Sequence, residues 1–177
     1  PDLSIVSMEK QIAEVCGGAT KVFADIGAEV TDEIPDFTGV LEAFQTLRAV
    51  LFATMMEPIM QQHRDKIAPE IIGNIERGLN ITPPQIFEAE RIRIELFKKI
   101  LDFFETHDFL ICPAASIAPF PVDQRYVTEI DGKPCETYID WFSITFALTM
   151  TACPTISVPC GFTSEGLPVG IQIMGKP

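Results

Sequence analysis

The sequence predicts an α/β protein in which helices cover a sheet, and three observations carry that prediction. Apolar residues recur at three- and four-residue spacing from Met8 through Phe104, the mark of amphipathic helices. Short apolar runs at 108–113, 155–158 and 169–174 are each bounded by Pro, Gly or Asp. Runs too short for a helix and closed by turn residues are buried strands. Finally, Pro154, Pro159 and Pro168 push the residue before them out of the helical region, and Gly161, Gly166 and Gly170 permit close approach or positive φ.

The elements follow in order. Met8, Ile12, Val15, Ala19, Val22, Phe23 and Ile26 form one helical stripe, with Ser7 as N-cap and Gly27 as the stop. Ala28 to Val30 then reads as a short strand. A second stripe carries Val40, Leu41, Phe44, Leu47, Leu51 and Met55; Pro58 is expected to kink it or begin a new helix, and Gly73, Gly78 and Asn80 mark the exit. Thr82-Pro-Pro-Gln85 is a helix start: Thr82 as N-cap, Pro83 at the first helical position, Gln85 as capping-box partner. Ala89, Ile92, Leu96, Ile100 and Phe103 continue that helix, Phe97, Leu101 and Phe104 widen its apolar face, and Glu88, Arg91, Glu95, Lys98 and Lys99 form a solvated outer face. Asp108 to Pro113 is a buried strand emptying into a loop from Ala114 to Lys133, and Tyr138 to Met150 reads as a short helix.

Composition narrows the function classes. With 177 residues, 47% of them hydrophobic, the chain can bury a core and is expected to be one folding unit. Thirteen Lys and Arg against 25 Asp and Glu leave a net charge of −12, which repels nucleic acid and anionic membrane surfaces. No apolar run is long enough to span a bilayer and no signal-peptide pattern occurs, so a cytoplasmic protein is expected. The five cysteines, Cys16, Cys112, Cys135, Cys153 and Cys160, lack CxxC spacing and suit reduced thiols. His63 and His107 lie far apart in sequence. Neither a metal nor another cofactor is called for.

The segment Thr149 to Gly175, TMTACPTISVPCGFTSEGLPVGIQIMG, is the most specific in the chain. Pro154, Val158, Pro159, Gly161, Gly166, Leu167, Pro168, Gly170 and Gln172 match a pattern near the C-terminus of the amidase signature family of serine hydrolases, with Ala152 where a Gly often stands. Asp108, Leu110, Pro113, Pro119 and Phe120 extend the resemblance, and GAEV before Pro35 and the Phe44 to Ala49 stretch are similar to the same family. The resemblance implies part of an α/β/α sandwich with a mixed sheet covered by helices. It also implies hydrolysis of a carboxylic amide C–N bond by a serine nucleophile, a second serine reached through a cis peptide bond, and a lysine base. None of those motifs is present here: Gly17-Gly18 lies in the first helix, and Ser4, Ser7, Ser116, Ser143, Ser157 and Ser164 lack the nucleophile's context.

The expectation is therefore that residues 1–177 are the C-terminal part of a single amidase domain, without the catalytic half and the last helix, and inactive alone. No catalytic residue is assigned. Phe142 and Phe146, one turn apart, correspond to positions that line the acyl pocket in fatty amide-cleaving relatives, so they are candidate pocket-wall residues; the alternative is that they are core aromatics. The family's amidotransferase members carry an Asp at the place of Phe142, which points this chain toward a small apolar or aromatic amide. Two other readings stay open: a non-catalytic interaction module built on the amidase fold, and a cysteine hydrolase using Cys112 or Cys160 with His107. The strands 110–112 and 171–173 are expected inside the sheet, and exposed sheet edges offer a route to a homo-oligomer.

Overall fold

A computed structural model describes residues 2–177. The chain forms two compact units, one built from the residues up to Thr38 together with Phe97–Pro177, the other from Gly39–Leu96.

The first unit holds the sheet. Its helix α1 (Lys10–Asp25) buries Ile12 and Cys16, while Val22 and Ile26, at the far end of the expected stripe, are exposed. Ser7 is not its cap. The N-cap is Glu9, and the helix's free N–H groups are met from a distance: Lys10 N–H donates to the Asp131 carboxylate at 3.0 Å. The Glu9 carboxylate is engaged elsewhere, accepting from Ala118 N–H at 2.9 Å, and Glu9 N–H donates to the Ser116 carbonyl at 2.8 Å. Gly27 ends the helix as expected, with φ +97°, a conformation costly to residues bearing a Cβ. Ala28 to Val30 form no strand; they are exposed chain without a strand partner among the described residues, and Ala28 N–H turns back to the Phe23 carbonyl at 3.0 Å.

Three strands make the sheet: β1 (Phe109–Pro113), β4 (Thr155–Phe162) and β5 (Pro168–Gly175), in the order β1-β5-β4. Both pairings are antiparallel, with Ile111 opposite Ile173 and Val158 opposite Ile171. β5 is central and buried on both faces. Val169 and Ile171 join Ile12 and Cys16 of α1 in one apolar cluster. On the other face Met174 is fully buried and accepts a hydrogen bond from the Thr151 hydroxyl. Each fully buried aliphatic side chain contributes about 1.5–3 kcal/mol, so these few residues hold α1 to the sheet. β1 and β4 each leave one side unpaired among the described residues. Pro159 is tolerated in β4 because it lies on an edge strand beside a bulge, where the register shifts between Pro159 and Gly161.

Within the segment expected as loop, β2 (Glu129–Ile130) and β3 (Lys133–Pro134) form a hairpin. Asp131 and Gly132, with φ +47° and +74°, make its two-residue turn. Asp-Gly is the sequence signal for such a turn. The expected helix over 138–150 is split into a 3₁₀ turn, Asp140–Phe142, and α5 (Ser143–Thr149).

The second unit is helical. α2 (Val40–His63) continues past Pro58 as one helix rather than beginning a new one there. Both Pro58 and Thr54 are exposed, so the carbonyl left without its usual donor is within reach of water. Gly73 and Gly78 lie inside α3 (Pro69–Leu79) rather than marking an exit. Gly78 has a definite reason: a Cβ there would sit 2.0 Å from the Ala49 carbonyl oxygen, so α2 and α3 cross at backbone contact. α2 accordingly buries Val40, Ala43, Thr46, Ala49 and Met60, whereas Leu51 and Met55 of the expected stripe are exposed. α4 (Pro83–Phe103) begins as expected: the Gln85 side-chain oxygen accepts from Thr82 N–H at 2.9 Å and from the Thr82 hydroxyl at 2.8 Å. The chain passes from the second unit to the first within this helix.

Candidate functional site

The end of β1 and the loop after it are held by hydrogen bonds from every side. Ala114 N–H donates to the Gly170 carbonyl at 2.8 Å, extending the sheet by one rung past Pro113. The Thr145 hydroxyl of α5 donates to the Ala114 carbonyl at 2.8 Å. Gln172, almost fully buried, donates through Nε2 to the Pro113 carbonyl at 3.0 Å, linking β5 to the last residue of β1. This bond gives the glutamine of the C-terminal pattern a structural task. Ala152 of the same pattern has φ +56°, the left-handed region where a glycine is unstrained.

Beside this fixed loop lies an open cleft of about 350 Å³, lined by Ile12, Ala114, Ala115, Ile117 to Phe120, Trp141 and Pro168 to Gly170. No ionisable side chain lines it, so it suits an uncharged apolar group. Ser116, within the same loop, is fully buried and its hydroxyl has no hydrogen-bond partner among the described residues. A hydroxyl without a base in reach is not an activated nucleophile.

Phe142 and Phe146 meet as expected for residues one turn apart, their rings edge to face at 5.8 Å. Phe146 is buried and Phe142 half-buried. Neither lines the cleft, but they join its wall through a chain of edge-to-face contacts: Phe142 to Trp141 at 4.8 Å, and Trp141 to Phe120 at 5.4 Å. Sequence reasoning missed Trp141 as a lining residue, although the only Trp of the chain stands next to Phe142. Asp140, the nearest acid, is occupied by its own turn, accepting from Glu136 N–H at 2.6 Å, from Thr137 N–H at 2.9 Å and from the Thr137 hydroxyl.

The thiols and His107 are not brought together. His107 stacks on Phe103 at 4.1 Å, and its Nε2 lies 3.3 Å from the Thr31 hydroxyl and 3.6 Å from the Glu33 carboxylate. Cys112 lies beside Gln172, and burial pushes its thiol up to about 12, the opposite of what a nucleophilic thiolate needs. Cys160 lies against Cys16, their sulfurs 3.9 Å apart. Among the described residues no cluster of three or more His, Cys, Asp or Glu is arranged to hold a metal, and no helix is long and apolar enough to cross a membrane.

Comparison with known proteins places this geometry. The chain is 25% identical to an acylamidase of Rhodococcus erythropolis, matching 99% of the chain and 37% of that protein. It is 23% identical to a glutamyl-tRNA(Gln) amidotransferase polypeptide of Alkaliphilus metalliredigens, over 98% of the chain and 34% of that protein. Among solved structures, a bacterial aryl acylamidase of the amidase signature enzymes superposes with a TM-score of 0.85 at 23% identity, covering 99% of the chain and 38% of the other. The chain thus spans little more than a third of the length of these relatives. The amidase family model matches residues 2–177, and the chain belongs to the amidase signature family.

Proposed function

We propose that this chain supplies one wall of the substrate pocket in an amidase that hydrolyses a small apolar or aromatic carboxylic amide. The serine, cis-linked serine and lysine that cleave the C–N bond lie outside residues 1–177 in this reading, and the chain alone is inactive. The observation that carries the substrate side is the aromatic chain Phe146–Phe142–Trp141–Phe120 ending at a cleft free of ionisable groups. An amino acid amide would need a carboxylate for its ammonium, and the Asp140 carboxylate is committed to Glu136 and Thr137. The printed names of two relatives, acylamidase and aryl acylamidase, agree with an acyl or aryl amide. The open edge of β1 is, on this proposal, where further strands of the enzyme pair; left bare, it favours self-association.

The test is Phe142→Ala in the intact enzyme, assayed on an aryl anilide and on a short aliphatic amide. Phe142→Ala removes the ring that backs the cleft-lining Trp141, an aromatic contact of about 0.5–1.5 kcal/mol. A Trp141 ring left free to shift should lower kcat/KM for the anilide up to about tenfold and leave the aliphatic amide nearly unchanged. A large fall in melting temperature with equal loss on both substrates would make Phe142 a core residue and sink the assignment.

A further inference from the structure

We propose that Cys16 and Cys160 are an oxidation site, closing to a reversible disulfide that clamps α1 to the edge strand β4 when the protein meets a peroxide. The residues are 144 apart in sequence, yet their sulfurs are 3.9 Å apart. Helix and strand come unusually close at this point: a Cβ on Gly161, next to Cys160, would lie 2.8 Å from a methyl of Val15, next to Cys16. The strand partner also has local freedom to close the remaining gap. Cys160 falls in the β-bulge between Pro159 and Gly161, where it has no register partner on β5. Cys16 is followed by Gly17 and Gly18, exposed positions where even an added Cβ would meet nothing, so no neighbouring side chain pins α1 on its outer face.

Access sets the order of events. Cys160 is half-buried on an edge strand and is the entry thiol, while Cys16 is buried and its thiol is pushed up to about 12, first by burial and then by the neighbouring Cys160. The Cys160 thiolate attacks one oxygen of the peroxide; the S–O bond forms, the O–O bond breaks, and the departing hydroxide takes up the proton the thiol had released, leaving as water and giving a sulfenic acid. Cys16 sulfur then displaces the hydroxyl from Cys160, its own proton leaving with that oxygen as a second water. Two thiols are oxidised by two electrons in total and one hydrogen peroxide is reduced to two waters. A cellular dithiol reverses the bond by exchange.

The experiment treats the protein, in its native length, with hydrogen peroxide and follows intact mass, tryptic peptides and the melting midpoint. The expected result is loss of two hydrogens, a peptide joining Cys16 to Cys160, and a midpoint that rises on oxidation and returns on reduction with dithiothreitol. Cys16→Ala and Cys160→Ser should abolish all three, and Cys153→Ser should abolish none. Should Cys16→Ala fold poorly, Cys160→Ser on the edge strand carries the comparison. Oxygen accumulating on Cys160 without a crosslink, or a crosslink joining other thiols, overturns the proposal.

Discussion

The sheet unit and the helical unit of this chain cohere internally by different means. In the sheet unit, cohesion comes from large side chains: Met174, Ile171, Val169 and Ile12 fill the space on both faces of β5, and Gln172 ties two strands through a buried hydrogen bond. In the helical unit, α2 and α3 gain their closeness from what is missing. Ala49, Ala53 and Gly78 let two backbones touch, while Leu51 and Met55 of the same α2 remain exposed. Burial in the first unit therefore follows hydrophobicity, whereas at the α2–α3 crossing of the second, size decides as well.

The most forceful way to break this contrast is to add one methyl group to each unit. Gly78→Ala would place its Cβ 2.0 Å from the Ala49 carbonyl oxygen, and since backbone cannot rotate away, the helices must part. We expect a loss of about 3 kcal/mol, at the upper end for overpacking, measured by urea unfolding. In the sheet unit, Gly161→Ala meets only a Val15 methyl at 2.8 Å, and a side chain with room to shift should limit the loss to about 1 kcal/mol. Equal losses at the two sites would show that size does not separate the units.

The second comparison sets two glutamines against each other. Gln172→Met keeps the volume but removes the donor to the Pro113 carbonyl, leaving a buried acceptor short of a partner, for an expected loss of about 1–3 kcal/mol. Gln61 of α2, exposed and bonded to Glu57 one turn away, should tolerate the same change within about 0.5 kcal/mol. Thermal unfolding of both variants decides it; a stable Gln172→Met would reduce the buried link to decoration.

The same division explains what was legible in the sequence. The three strands of the sheet were, because β5 is buried on both faces and such a strand reads as a largely apolar run between Pro168 and Gly175, with Gln172 its one polar side chain. The Phe142–Phe146 contact was too, since helical residues one turn apart must meet. Ala152 shows why its pattern position often holds Gly, having φ +56°. The α2–α3 crossing was hidden, as hydrophobic spacing gives weight to Leu51 and Met55 and none to Ala49 or Gly78. Long-range capping was hidden as well: nothing local to Ser7 reveals that Asp131 will cap α1. The cleft needed four separated segments, the start of α1, the loop after β1, the turn holding Trp141 and the start of β5, which only the tertiary fold, the pairing of β1 with β5 included, brings together.

The smallest effect is expected from a surface contact of the sheet unit, where neither size nor burial acts. Lys99 donates to the Asp36 carboxylate at 2.6 Å, and Thr38 N–H donates to its other oxygen at 2.8 Å. These bonds, the one from Lys99 foremost, hold the Asp36 carboxyl well below the usual carboxylate range. A depressed folded-state value means the contribution is present above the unfolded value, about 3.9, and is lost as pH falls through the folded one. Both side chains are about half exposed, so solvent screening keeps the contribution under about 1 kcal/mol. Unfolding free energy measured from pH 6 down to acid should fall slightly less steeply in Lys99→Met than in the parent, and the gap between the two should narrow as Asp36 protonates. A gap that stays constant with pH would mean Lys99 acts through its aliphatic stem, which would bring this surface contact back under the same rule of packed side chains that governs β5.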